Sequence, residues 1–400
     1  METTKRYVAL DIMRGITVAG MILVNNPGGR GNMAFAPLYH AKWHGWTFTD
    51  LVFPFFLFIV GTAMVFSFAK FTQGLNSAVL KKLFVRGVLI FIVGLLLNAI
   101  TSYLQNSKPD LSWGTNCFNT LSNIRIFGVL QRIGMAYVVG GFLALWLRKP
   151  KNIAWGAVVV LLLHWAILYF LGGDDPYSKE GNISGPIDIW LIGKNHVYRG
   201  LGFPFDPEGV LGTLSGAGTL LLGYSIGGLI QRSDQKNDTV ALLYTLSLIS
   251  IGLGLVWGNW LPINKPLWTG SYALFAAGCS TMLLAFLIYL TDIVGGWRKI
   301  RFEKILSPFK ALGMNPLFAF VMATILGAIA RFFAWQTTTT TADGSLSTSR
   351  VTFLTWFYQH LCVPIFGNNE WGSLFYSLCY VALFTLMAIF LDKKKILIKL

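Results

Sequence analysis

Charge is scarce in this sequence. Only 12% of its 400 residues are charged, roughly half the share found in an ordinary soluble domain, and a water-soluble surface cannot be assembled from so few. Acidic residues are scarcer still, 17 against 32 Lys and Arg, which excludes an acidic solvating or disordered chain. There are four cysteines, Cys117, Cys279, Cys362 and Cys379, with no metal-ligand spacing and no disulfide framework. The five histidines are scattered, and His44, His196 and His360 show no spacing that favours zinc, so no metal is expected. No low-complexity tract, repeat or soluble segment long enough to fold alone interrupts the chain, so residues 1–400 are expected to form one membrane-embedded domain.

Hydrophobic residues make up 54% of the chain and aromatics 15%. Apolar runs recur at 8–24, 51–68, 83–100, 127–147, 153–171, 210–230, 240–261, 272–290, 312–333 and 374–391. Each is long enough, at about 1.5 Å per residue, to cross a hydrocarbon core of roughly 30 Å. The fold class expected is therefore all-α integral membrane, a polytopic bundle of about ten transmembrane helices. Met1 to Lys5 lacks the arrangement of a cleaved signal, and Asp11 and Arg14 interrupt the first run, so that span is expected to be retained.

The net charge of +15 sets orientation. With the N-terminus inside, Lys70, Lys81, Lys82 and Arg86 fall in one cytoplasmic loop, and Arg148, Lys149 and Lys151 in the next. Arg298, Lys299, Arg301 and Lys304 fill another, and Lys393, Lys394, Lys395 and Lys399 close the tail. Roughly twenty of the 32 cations then face the cytoplasm, as the positive-inside rule requires. Both ends are expected inside, in a cell inner membrane. The basicity is explained by the lipid bilayer, and no nucleic-acid partner is expected.

Polar residues at a membrane edge are costly and mark function. The densest group is on the first outer loop: Asn25-Asn26-Pro27-Gly28-Gly29, then Tyr39-His40-Ala41-Lys42-Trp43-His44, then Thr49-Asp50. Pro27 and the glycines end a helix and permit tight backbone paths, while Trp43 and Trp46 suit an interface. Taken singly, Asn25 and Asp50 read as helix caps and His40 as an interfacial histidine. Together, a proton acceptor, an amide donor and a carboxylate on one short segment are what an acyl-transfer site needs. Asp11 and Arg14 have the spacing of a local ion pair, and His164, flanked by apolar residues, is expected to be packed or hydrogen-bonded in the bundle. Arg125 and Arg132, seven residues apart, are expected on nearly one helical face, about 10 Å apart. Pairing with Asp50, Asp206 or Glu208 and substrate contact are both open to them. Asn264 and Lys265 sit in an outer turn, where solvent exposure and sugar contact are the alternatives.

The segments around Asn25 and His40 and the run from Asp50-Leu51-Val52-Phe53-Pro54 to Gly61 resemble the heparan-α-glucosaminide N-acetyltransferase family. Later phrases agree in order: Asn123-Ile124-Arg125, Gln131-Arg132, Phe205-Asp206-Pro207-Glu208-Gly209, Leu261-Pro262-Ile263-Asn264-Lys265-Pro266, and Gly313-Met314-Asn315-Pro316. The chain departs from the lysosomal members at Asn26-Pro27, where they have a more glycine-like turn. The resemblance implies a transmembrane acetyltransferase with cytosolic acetyl-CoA as co-substrate and a glucosamine amine as acceptor on the far side. His40 matches the family's active-site histidine and Asn25 its nearby asparagine. In that frame His40 takes the amine proton, Asn25 donates to the oxyanion, and Asp50 either orients His40 or holds the sugar ammonium. Arg125, Arg132, Asn264 and Lys265 are the candidate substrate contacts. A membrane O-acyltransferase of envelope glycans and an amino-sugar transporter are the rival readings, and a homodimer is one assembly open to the chain.

Overall fold

A computed structural model describes residues 7–29, 33–68, 76–108, 110–340 and 346–398. Met1 to Lys5, Lys70 and Lys399 lie outside the described residues. The apolar runs become helices α1 (Val8–Asn25), α2 (Phe48–Phe68), α3 (Ser77–Asn106), α5 (Val129–Leu147), α6 (Pro150–Leu171), α8 (Val210–Arg232), α9 (Lys236–Trp257), α10 (Gly270–Ile288) and α15 (Glu370–Lys393), with short α4 (Trp113–Ser122) and α7 (Ser184–Ile192) between spans. These nine long helices are each apolar enough to cross a membrane, α10 being extended by a π-helical turn to Ile293.

The remaining span differs from the expected continuous run over 312–333. Helices α11 (Gly296–Met314) and α12 (Pro316–Phe332) meet at a 78° bend. Pro316 has no N–H with which to continue α11 and instead starts α12, where a first-turn proline is tolerated. Asn315 fills the break. Its Nδ2 donates to Ile396 O at 3.0 Å and its Oδ1 accepts from Ile398 N at 2.8 Å, tying the bend to the C-terminal segment. The cations Arg298, Lys299, Arg301 and Lys304, expected in a loop, stand on α11.

After α12 a hairpin of β1 (Ala334–Thr340) and β2 (Leu346–Thr352) pairs antiparallel, Ala334 opposite Thr352. It is the one β-sheet among the described residues. Its threonine-rich strands favour extended backbone. Short helices α13 (Phe353–Phe357) and α14 (Val363–Phe366), joined by a π-helical turn, lead into α15.

Lipid supplies no hydrophobic drive between helices, so close backbone approach must hold them. A side chain at Gly61 would overlap the Leu220 carbonyl, and one at Gly223 the Phe58 carbonyl, which brings α2 and α8 into backbone contact at the centre. Gly15 against Phe309 and Gly313 against Asp11 do the same for α1 and α11. The peripheral helices turn apolar side chains outward, as at Phe84, Leu96, Leu248 and Leu253, which suits a hydrocarbon surround.

The start of α1, the end of α8, the start of α9 and the end of α10 share one end of the bundle. Tyr7 Oη meets Ile230 O at 3.5 Å, and Lys236 pairs with Asp292 at 3.1 Å. Asp11 and Arg14 pair as expected, at 2.8 Å. Asn25, at the far end of α1, and Asp50, at the start of α2, therefore lie at the opposite end.

Candidate active site

Helix α2 begins with a capping arrangement that also builds the site. In Thr47-Phe48-Thr49-Asp50 the carboxylate three residues into the motif reaches back to the Thr47 N–H at 3.1 Å, the geometry of a capping box. The same oxygen, Asp50 Oδ2, accepts from Ala41 N at 2.9 Å. Its other oxygen, Oδ1, lies 2.6 Å from His40 Nδ1. One oxygen thus caps the helix while the other lies against the histidine. Asp50 is buried, whereas the His40 side chain is 56% exposed.

This contact fixes the tautomer. The carboxylate oxygen is an acceptor, so Nδ1 carries the proton and Nε2 presents its lone pair. Nε2 has no partner among the described residues. Lys265 Nζ lies 3.1 Å from His40 Nδ1 and 3.4 Å from Asp50 Oδ1. Since Nδ1 already donates, the ammonium is held by the carboxylate. Burial pushes the Lys265 ammonium below its ordinary pKa, and Asp50 and Glu208 oppose that shift without cancelling it.

His40, Asp50, Asn25, Lys265, Arg125 and Glu208 line one cavity of about 260 Å³, just under the roughly 300–1,000 Å³ usual for ligand pockets. Asn25 is exposed at the last position of α1, and its carboxamide makes no hydrogen bond to the described residues. Arg125 crosses the cavity wall to Asp206, with Nε at 3.0 Å and Nη2 at 2.7 Å, and also bonds Glu208. Burial alone would raise the Glu208 carboxyl, but Arg125, Arg132 and Lys265 outweigh it and hold Glu208 below the ordinary value.

Two candidate contacts stand elsewhere. Asn264 is fully buried and belongs to the turn that carries Lys265: its Oδ1 accepts from Leu267 N at 2.8 Å and its Nδ2 lies 3.3 Å from His44 Nδ1. Arg132 is 1% exposed, donates to Gly209 O at 3.1 Å and stacks its guanidinium 4.9 Å from the Trp268 ring centroid. Neither lines the cavity. The single helical face expected for Arg125 and Arg132 does not form, because Arg125 precedes α5. Asn98 Nδ2 donates to the carbonyls of Arg125 and Phe127, at 2.9 and 3.2 Å, and holds that segment extended. His164 is packed as expected, yet neither ring nitrogen has a partner among the described residues.

Long-range contacts aim these groups. Gly45, at φ +94°, donates to Ile263 O at 2.7 Å and joins the His40 loop to the 261–269 turn. Trp268 is buried in that turn at φ +53°, a region bulky residues seldom occupy. Its N–H donates to Lys265 O at 3.0 Å and its Nε1 to Thr219 Oγ1 at 3.1 Å. Trp43, expected at an interface, is buried and donates to Tyr177 O at 2.9 Å. Thr47 went unread in the sequence although its capping-box spacing was visible. Tyr198 and Glu208 reach the cavity from loops far along the chain, and no local signal places them there.

Asp188, on α7, accepts through Oδ1 from Val210 N at 2.9 Å, while its Oδ2 has no partner among the described residues. Burial first, and Asp206 next, raise its carboxyl from 3.8 to about 7 against the Val210 bond. The folded chain therefore binds one proton more than the unfolded chain between those values, and this group's contribution to stability falls as pH rises through that window. Asp188→Asn keeps the Val210 bond and removes the titration. The melting temperature of the variant relative to the original chain is expected to climb from pH 4 to pH 7 and level off above, as read from thermal melts in detergent. A difference independent of pH would exclude the proton.

Residues 6–175 match the family model described as heparan-alpha-glucosaminide N-acetyltransferase, catalytic. The heparan-alpha-glucosaminide N-acetyltransferase of Homo sapiens is 28% identical over 369 residues, covering 79% of this chain and 52% of its own length. That of Mus musculus is 29% identical over 380 residues, covering 81% and 54%. The chain spans about half the length of these relatives. The matched region holds Asn25, His40 and Asp50, and over most of its length this multi-pass chain is similar to the heparan-alpha-glucosaminide N-acetyltransferases.

Proposed function

We propose that the protein transfers the acetyl group of cytosolic acetyl-CoA to the amine of a glucosamine-type sugar on the outer side of a cell inner membrane, with His40 Nε2 as base. The observation that carries this reading is the 2.6 Å contact from Asp50 to His40 Nδ1, which leaves Nε2 unbonded in the cavity that Asn25 shares. The amine nitrogen attacks the thioester carbonyl and gives its proton to Nε2. The C–S bond then breaks and His40 returns the proton to the departing thiolate, yielding the acetamide and free CoA. With both Asp50 oxygens engaged, its role is to orient His40 and balance the imidazolium. One histidine acting as base favours direct transfer over an acetyl-histidine intermediate.

The cavity of about 260 Å³ suits a sugar ring and the acetyl end of the donor, not the whole of CoA. The nucleotide end belongs at the opposite, cation-rich end of the bundle, where Arg86, Lys149 and the α11 cations stand, and the pantetheine arm runs between helices across a core of roughly 30 Å.

Inverted membrane vesicles loaded with glucosamine and given external acetyl-CoA test the reaction and its sidedness together. Free thiol outside and N-acetylglucosamine inside, in equal amounts, are expected. An ester product would favour O-acylation, and sugar movement without thiol release a transporter. Asn25→Ala is expected to slow turnover roughly a hundredfold to a thousandfold, the usual loss on removing one oxyanion donor, with acetyl-CoA binding retained. Unchanged turnover would take Asn25 out of the reaction.

A further inference from the structure

Arg132 is a buried charge that the transfer chemistry does not use. Its Nη2 donates to Gly209 O at 3.1 Å, while Nε and Nη1 have no partner and no carboxylate pairs with it among the described residues. A guanidinium enclosed in a membrane bundle with so few acceptors is costly, and such a group marks function. Glycines on α8 clear its path. A Cβ on Gly212 would overlap Arg132 Nη2, and one on Gly216 would stand 4.0 Å from its Cδ. The side chain therefore lies flat along one turn of α8.

Its other face meets Trp268, the residue that closes the Lys265 turn. The Trp268 ring stands edge-on to Phe53 and Tyr272, with centroids 5.1 and 5.4 Å away. Phe53 is three residues past Asp50 on α2, and Tyr272 Oη donates to the Asp50 carbonyl at 2.5 Å. One indole thus touches the supports of both partners in the Lys265 to Asp50 contact. Its backbone, at φ +53°, occupies a region that persists only where the surroundings over-determine it. A planar guanidinium supplies that: it donates in its plane to Gly209 O and offers its face to the indole, which an ammonium cannot do.

We propose that Arg132 is a positioning residue for acetyl transfer. By clamping the Trp268 ring against α8 it holds the 261–269 turn where Lys265 Nζ meets Asp50 Oδ1, and so keeps that oxygen on His40 Nδ1. The inference rests on the acetyl-transfer reading and adds to it a residue that does not line the cavity. The geometry separates this role from a purely structural one. Gly209 O also accepts from Thr213 N at 3.2 Å and Thr213 Oγ1 at 3.0 Å, so Arg132→Met strands neither an acceptor nor a paired counter-charge.

The test uses the full chain in detergent. Arg132→Met is expected to keep or raise the melting temperature, as apolar replacement of a buried charge often does. Hydrogen–deuterium exchange of the 265–269 amides is expected to quicken roughly tenfold or more, the scale of one desolvated cation–π contact. The kcat for acetyl transfer is expected to fall roughly tenfold to a hundredfold, as for a small misplacement remote from the chemistry, with the KM for acetyl-CoA unchanged. Lys265→Met is expected to slow transfer by itself, and adding Arg132→Met to it to cost about twofold at most, because both act through one contact. Fully multiplicative losses in the double variant would overturn the proposal. Arg132→Lys carries the same test should the methionine variant not fold. It keeps the cation but loses the planar stack, so its transfer is expected to fall alike, and normal transfer by it would overturn the clamp. Exchange reads the turn without turnover: quickened exchange in a chain that transfers no acetyl sinks acetyl transfer and leaves the clamp on Lys265 standing, whereas unchanged exchange sinks the clamp alone.

Discussion

Replacing His40 with alanine is expected to slow acetyl transfer by roughly a hundredfold to ten-thousandfold, the usual cost of losing a general base, with acetyl-CoA binding intact. A neutral amine attacking a thioester acquires positive charge and must shed a proton, and Nε2 of His40 is the unbonded acceptor in the cavity. The ring is largely exposed and its one strong bond goes to Asp50, so its removal leaves no hole in the packed bundle. Asp50 keeps Ala41 N, Thr47 N and Lys265 as partners, which holds the start of α2 in place. Single-turnover transfer beside direct donor binding, in preparations of matched thermal stability, is the measurement. Near-normal transfer would refute the base, and joint loss of folding and activity would make His40 structural. Rapid quench before sugar is added should find no acetyl on the protein; acetyl on His40 would establish a two-step route.

Asp50→Asn is expected to be as damaging, on the order of a thousandfold to ten-thousandfold, although it only exchanges one carboxylate oxygen for an amide NH2 of nearly the same size. Two backbone N–H groups, from Ala41 and Thr47, converge on Oδ2, and only an oxygen can accept them. The asparagine must therefore turn its carbonyl toward the backbone and its NH2 toward His40. Facing a donor at 2.6 Å, Nδ1 must become an acceptor, and the ring proton moves to Nε2, where it blocks proton uptake. The magnitude follows from the wrong-tautomer effect in histidine–carboxylate pairs. A melting temperature close to that of the original chain, with transfer lost and recovered in part at high pH, is the expected signature. Activity within threefold of normal would show that Asp50 serves only the helix cap.

Positions along the chain carried different amounts of this information. The ten apolar runs and the one-sided cations determine a membrane bundle by themselves, because the bilayer imposes length and charge rules that act on each segment separately. Asn25, His40 and Asp50 were legible because 26 residues hold all three and helix-end chemistry is local. The break at Asn315 was less so: an apolar window registers hydrophobicity, whereas the 78° turn depends on Pro316 and on hydrogen bonds to residues 396 and 398. Arg125 and Arg132 carry the same charge seven residues apart, yet one reaches the cavity and the other is enclosed against Trp268. That division is decided by Asn98, Asp206 and Gly209, none of them near in sequence. Asn264 and Lys265 are neighbours that part in the same way, one spent on its own turn and the other aimed at Asp50. Sequence determined which groups could do chemistry, since that is a property of each side chain. Only the tertiary structure decided which of them face the cavity, since that depends on partners supplied by distant helices.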